Sequence, residues 1–179
     1  MTGAVSRYLR SFTGFGRDAR IFLLTTIVFG AALSLYWIDF NLYLESIGLG
    51  WAIGWLMAAS QLAGVIVALP ASAISDRIGR RKVMAAGMAL VAVALFAFLP
   101  GDLPLLFLGV VALGAGSMAV SVVQVPFIAE HTRPDQRNEY FAIWSAIGFL
   151  TGVVAALVGG AAAPEIASLL NLGSDAAPY

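Results

Sequence analysis

Cysteine is absent from this chain of 179 residues, and histidine occurs once. Disulfides, thiolate metal sites and a cysteine nucleophile are therefore excluded. A lone imidazole without a cluster of acidic partners supplies no metal ligand set. Charge is nearly as scarce: Asp, Glu, Lys and Arg make up 11% of the residues, against roughly 25% in soluble domains. No Ser/His/Asp set, Walker loop or G-x-G-x-x-G following a strand occurs. The chain is expected to be no enzyme, to hold no cofactor or metal and to bind no nucleic acid. What it has in abundance is apolar surface, with 60% hydrophobic residues and a mean hydropathy of +0.91. Such a composition belongs to an all-α integral membrane protein, with the lipid bilayer as its first partner.

Five apolar runs are long enough to be spanning helices, at about 21–44, 51–74, 83–99, 103–128 and 140–163. At 1.5 Å per residue, about 20 residues cross the ~30 Å of hydrocarbon. The first run is too long for a signal-peptide core and has no small-x-small cleavage site after it, so it is expected to remain as a helix. Polar turns separate the runs, among them Pro100-Gly101-Asp102. The tail, 164–179, mixes Pro, Asn, Gly, Ser and Asp and does not read as a sixth span.

The ten Lys/Arg residues fall in only three places: the N-terminal segment, the loop 75–82 and the loop 130–139. The alternate connections and the tail carry Glu45, Asp102, Glu165 and Asp175 instead. This alternation predicts a cytoplasmic N-terminus and an extracytoplasmic tail. Residues 1–20 combine Arg7, Arg10, Arg17 and Arg20 with Val5, Tyr8, Leu9, Phe12 and Phe15 at helical spacing. That segment reads either as an amphipathic helix on anionic lipid or as a tail. Few Lys and abundant Ala and Gly suit a bacterial inner membrane.

Ionisable residues at membrane depth are functional candidates because their burial costs several kcal/mol. Asp39, in the first span, is the one found. On a helix it shares a stripe with Thr25, Ala32, Tyr36 and Tyr43, away from Ser34 and Asn41. It reads either as a carboxylate contacting substrate or cation, with Tyr36 and Tyr43 beside it, or as an interfacial Asp in an aromatic belt with Trp37. Ser117, Ser121 and Gln124 share a face of the fourth span; Gly54, Gln61, Gly64, Ala68 and Ser72 share one of the second. The small residues point to helix packing, while Gln61 and Gln124 are open to either packing or substrate contact. Gly148, Gly152, Ala155, Ala156 and Gly159 form a packing face on the fifth, and Gly114-Ala115-Gly116 permits close packing within the fourth. His131 reads as a solvated interfacial residue.

The run Ser72-Ala73-Ile74-Ser75-Asp76-Arg77-Ile78-Gly79-Arg80-Arg81-Lys82 resembles the loop signature of the major facilitator superfamily, G-x-x-x-D-R-x-G-R-R/K-R/K, and lies between the second and third spans as that resemblance requires. Asn41-Leu42-Tyr43-Leu44 with Gly48, and Pro126-Phe127-Ile128-Ala129-Glu130 followed by Arg137, are similar to the family as well; the likeness covers about 20–160. The resemblance implies a secondary active transporter of a small solute, a permease or efflux protein working by alternating access. It implies a gating charge network for Asp76, Arg77, Arg80 and Arg81, with Gly79 allowing the tight turn. A rocking bundle needs a breakable ionic contact at its rim, which agrees with that role.

Several departures qualify the likeness. Ser72 stands for the signature's leading glycine, no arginine lies in the fourth span, and Ala155-Ala156 stand where an antiporter motif has Gly-Pro, although Gly159-Gly160 remains. Proton–drug antiport is weakened accordingly. The family fold has two six-helix halves, so the chain is expected to be an N-terminal fragment with about five of twelve helices, truncated before the sixth. Its missing partner would be the C-terminal half of the same transporter. The alternative is a non-transporting membrane protein with a structural or interaction role. An intramembrane enzyme is the weakest reading, since Asp39 has no ionisable companion at its depth.

Overall fold

A computed structural model of the chain describes residues 17–169, except the side chains of Ile38, Asp39 and residues 162–169. The segment expected to be amphipathic over 1–20 therefore lies, up to residue 16, outside the described residues. Residues 170–179 of the expected tail, and the side chain of Asp39, lie outside them too. Every longer element is an α-helix: α1 (Arg17–Ser46), α2 (Ile53–Ile78), α3 (Arg80–Ala97), α4 (Leu103–His131) and α5 (Arg137–Leu169), with a 3-10 turn at Gly50–Ala52. The chain is an all-α, multi-pass membrane protein.

Among the described residues, four stretches can cross a membrane by length and composition: Arg17–Ser46, Gly50–Ile78, Leu103–His131 and Arg137–Ala161. The remaining helix, α3, has 18 residues and opens with Arg80, Arg81 and Lys82, so its apolar part is the shortest of the five. The helix α5 continues through Pro164 to Leu169, beyond the point at which the sequence suggested a tail. Ala161–Ala163 before the proline and Ala167 after it are good helix formers, which favours that continuation.

Glycines at positive φ shape the connections. Gly48 (φ 77) ends α1, with Gly48 N donating to Glu45 O at 3.0 Å and Leu49 N to Leu44 O at 2.8 Å. This pair of bonds is a Schellman closure, which satisfies carbonyls that the helix end would leave orphaned. Gly79 (φ 98) separates α2 from α3. Its N–H donates to Ser75 O at 3.0 Å, and its own carbonyl accepts from Lys82 N at 3.2 Å. One residue thus closes one helix and opens the next, in a conformation that side chains with a Cβ rarely adopt.

The helices form two compact units, 1–50 with 131–179 and 51–130. In the first, α1 and α5 lie side by side. A Cβ on Gly30 would stand 3.7 Å from Thr151 Cγ2, one on Gly152 3.6 Å from Ser34 Oγ, and one on Gly159 only 2.7 Å from Leu35 Cδ2. Gly148, from the same sequence stripe, has nothing within 4 Å of that position. Near the start of both helices, Tyr140 Oη donates to the Ala19 carbonyl at 2.7 Å. Phe22 and Trp144 approach with ring centroids 6.5 Å apart.

In the second unit α4 is the buried helix, with Leu106, Val110, Leu113, Val120, Val123, Phe127 and Ile128 in its core. Its glycines let two neighbours approach. Gly114 meets the Ser60 carbonyl of α2 so closely that a Cβ would overlap it, and a Cβ on Gly116 would lie 2.7 Å from Gly87 O of α3. Between membrane helices the drive for association is packing rather than exclusion of water, so backbone contact through small residues is where these helices gain stability.

Candidate functional site

The signature run is split by Gly79, and that split creates an ion cluster. Asp76 lies in the last turn of α2, and Arg80 is the first residue of α3. The turn at Gly79 brings Arg80 Nη2 within 3.5 Å of Asp76 Oδ1. The same nitrogen stands 3.2 Å from Oε1 of Glu130, in the last turn of α4. One guanidinium therefore joins the ends of three helices.

Each member of this cluster opposes its own helix dipole. Acidic groups are unfavourable at a helix C-terminus, where Asp76 and Glu130 sit, and a cation is unfavourable at an N-terminus, where Arg80 sits. Brought together, the charges offset one another. Arg80 is the sheltered partner, with 22% of its side chain exposed, while Asp76 and Glu130 are 65% and 54% exposed. Ion pairs that wet contribute only about 0.2–1 kcal/mol each. The cluster joins the three helix ends through contacts that are individually weak.

The other motif residues are placed differently. Arg77 is exposed and makes no ion pair among the described residues, and Arg81 and Lys82 are exposed on the first turn of α3. Ser72, in the position of the signature's glycine, is exposed. Its carbonyl accepts a hydrogen bond from Ser75 Oγ at 2.7 Å.

The residues singled out as cavity candidates are distributed over both units. In the first, Tyr36 is buried, with its ring 4.7 Å from that of Phe40 and 5.6 Å from that of Trp37 between centroids. Tyr43 is half-buried near the end of α1. In the second, Gln61 is exposed on α2 and Gln124 half-buried on α4. A groove of about 410 Å³ runs between α1 and α5, lined by aliphatic residues including Ile27, Leu35, Val154 and Val158, with Thr151 the polar member. Of the cavity candidates whose side chains are described, Tyr36, Tyr43, Gln61 and Gln124, none lines it.

His131 is the last residue of α4, and its Nε2 stands 3.8 Å from Asp18 Oδ2, so the imidazole has a carboxylate beside it as well as solvent. Two participants have no role assigned from the sequence: Glu130, which appears there only within the family-like run Pro126 to Glu130, and Asp18. For Glu130 a signal was present, since an acid in the last turn of a helix calls for a cation from elsewhere.

The model of the major facilitator superfamily matches residues 21–169. The chain belongs to the major facilitator superfamily. The match covers α2 to α5 and α1 from residue 21 on, so the ion cluster, the glycine contacts of α4 and most of the α1–α5 pair lie inside the region that defines this transporter family. No curated protein and no solved structure matches the chain.

Proposed function

We propose that this chain works in secondary active transport of a small solute by alternating access, and that the Asp76–Arg80–Glu130 cluster is the contact that opens and closes at one membrane face. The observation carrying this reading is the shared nitrogen of Arg80, 3.5 Å from Asp76 and 3.2 Å from Glu130. A contact that joins three helix ends and contributes about 1 kcal/mol per pair suits an element that must break in every cycle. Arg77, exposed beside it, would engage helices outside this chain in the closed state.

In this reading the chain supplies the N-terminal part of the transporter, and a C-terminal half completes the pathway between them. The three clusters of Lys/Arg support a cytoplasmic N-terminus in this reading, and its composition suits a bacterial inner membrane. Asp39, by its place in the sequence of α1, is the candidate for a cation- or proton-coupled carboxylate, with Tyr36, Tyr43, Gln61 and Gln124 as candidate solute contacts.

The test is gradient-driven solute flux in proteoliposomes of the complete gene product and of its Asp76→Asn variant. Flux that falls in the variant, with insertion preserved, is the expected result. Equal flux would overturn the gating role of Asp76, and no flux for any solute in a broad panel would overturn the transport reading.

A further inference from the structure

Two of the three helices joined by the ion cluster carry an internal proline, Pro70 in α2 and Pro126 in α4, and both helices run on through it. A proline has no N–H, and its ring crowds the carbonyl four residues back. Ile66 and Val122 therefore lose the helical donors that positions 70 and 126 would otherwise supply. Sharp bends in helices occur mostly at such places. Helix α3, which holds Arg80, has no proline.

We infer that Pro70 and Pro126 are the joints of the gate: the helix ends beyond them swing with Asp76 and Glu130, while the rest of α2 and α4 stays packed. The glycine contacts show where each helix is held. A Cβ on Gly64 would lie 3.4 Å from Gly114 O and 3.5 Å from Met118 Cβ, so α2 and α4 meet closely there. One on Gly87 would lie 2.8 Å from Gly116 O, which ties α3 to the same stretch of α4. At 1.5 Å per residue, Pro70 follows Gly64 by about 9 Å and Pro126 follows Met118 by about 12 Å along the helix axes. Held crossing, joint and charged tip thus come in the same order on both helices.

The lever lengths fit the contacts they must open. Asp76 lies six residues beyond its joint and Glu130 four, which makes arms of about 9 and 6 Å. A bend of about 20° at each proline displaces the two acids by about 3 and 2 Å. Shifts of that size part contacts of 3.5 and 3.2 Å, which are weak enough to break. Gly79, at positive φ between the tip of α2 and the start of α3, is the swivel that lets Asp76 move relative to Arg80. This division into moving tips and held shafts rests on the reading of the cluster as a gate.

The experiment places the complete gene product in proteoliposomes and follows labelling of one introduced cysteine by a water-soluble maleimide. This chain has no cysteine of its own, and any in the remainder is replaced by serine. The reporters are Ser75→Cys on the tip of α2, 4% exposed, and Ile128→Cys on the tip of α4, 1% exposed. Arg80→Ala releases both tips and should raise labelling at each by roughly fivefold. Adding Pro70→Ala, which restores the helical N–H, should return position 75 to the parent rate and leave position 128 raised. Adding Pro126→Ala should do the reverse. Both proline changes favour the helix, so thermal unfolding in detergent should stay at or above the parent's. A proline variant that unfolds earlier would make that ring a packing element and overturn the joint at its position. A rise that persists in both proline variants, or that either one abolishes at both positions, would overturn the joints alone. No rise in Arg80→Ala would overturn the gate and the joints with it.

Discussion

Arg80 reaches both Asp76 and Glu130 through a single nitrogen, Nη2, at 3.5 and 3.2 Å. The two carboxylates therefore compete for one donor. Removing either lets the guanidinium settle on the other, so the single changes Asp76→Asn and Glu130→Gln should cost less together than independent pairs would. Each should weaken the contact by about 0.2–1 kcal/mol, and Arg80→Ala should cost more than either because it leaves both acids facing helix C-termini. The absence of native cysteine makes this measurable. Ser75, buried at 4% beneath the turn, can be replaced by a lone cysteine, and its labelling by a water-soluble maleimide should rise in the order parent, single variants, Arg80→Ala. Unchanged labelling across the series would remove the cluster as a closure.

The glycines of α4 and α5 should respond oppositely to the same substitution. Gly114→Ala puts a methyl group into the Ser60 carbonyl, so α2 and α4 must part, at about 1–3 kcal/mol as for other overpacked contacts. Gly148→Ala meets nothing within 4 Å and gains helix propensity, so it should be neutral or stabilising by up to about 1 kcal/mol. Thermal unfolding in detergent separates the two. A Gly114→Ala protein as stable as the parent would contradict the close approach.

The hydrogen bond from Tyr140 to the Ala19 carbonyl, 2.7 Å long between two buried residues, ties the start of α5 to the start of α1. Tyr140→Phe keeps the ring and removes the donor. The Ala19 carbonyl lies inside a helix, where a backbone N–H can still serve it. The expected cost is therefore about 1 kcal/mol rather than the full penalty of an orphaned group. Tyr140→Ala also empties the site of a side chain with no exposure and should cost about 3–5 kcal/mol. Denaturation midpoints of the two variants would show whether the ring or the hydroxyl dominates.

Gly79→Ala tests the turn on which the motif depends. At φ 98 an alanine is strained by about 1–2 kcal/mol, although no atom blocks a Cβ there. Relaxing that strain would shift α3 relative to α2 and part Arg80 from Asp76. Ser75→Cys labelling should therefore rise in Gly79→Ala much as it does in Arg80→Ala. A stable variant with parent-like labelling would show that the turn tolerates a side chain.

For proton coupling, the decisive variant is Asp39→Asn. If that carboxylate takes up the coupled proton, the pH dependence of flux should flatten in the variant. A pH profile identical to that of the parent would assign coupling elsewhere.

Much of this protein was legible in its sequence because the governing effects are local in the chain. Scarce charge and long apolar runs determined the membrane class. The run from Ser72 to Lys82 pointed to the family, and Gly48, Gly79 and Gly101 marked turns that all adopt positive φ. Turn chemistry and hydropathy act over a few residues, so they can be read without knowing which helices are neighbours. The tertiary structure decided what depends on which helix ends and faces meet. Glu130 joined the cluster because the end of α4 lies beside the start of α3, and Tyr140 found Ala19 across 121 positions of sequence. Gly148 and Gly152 belong to one sequence stripe, yet Gly152 faces Ser34 and Gly148 faces no atom within 4 Å. Periodicity places residues on a common face but carries no information about the partner helix, its depth or its rotation. Those are settled only when several helices pack at once.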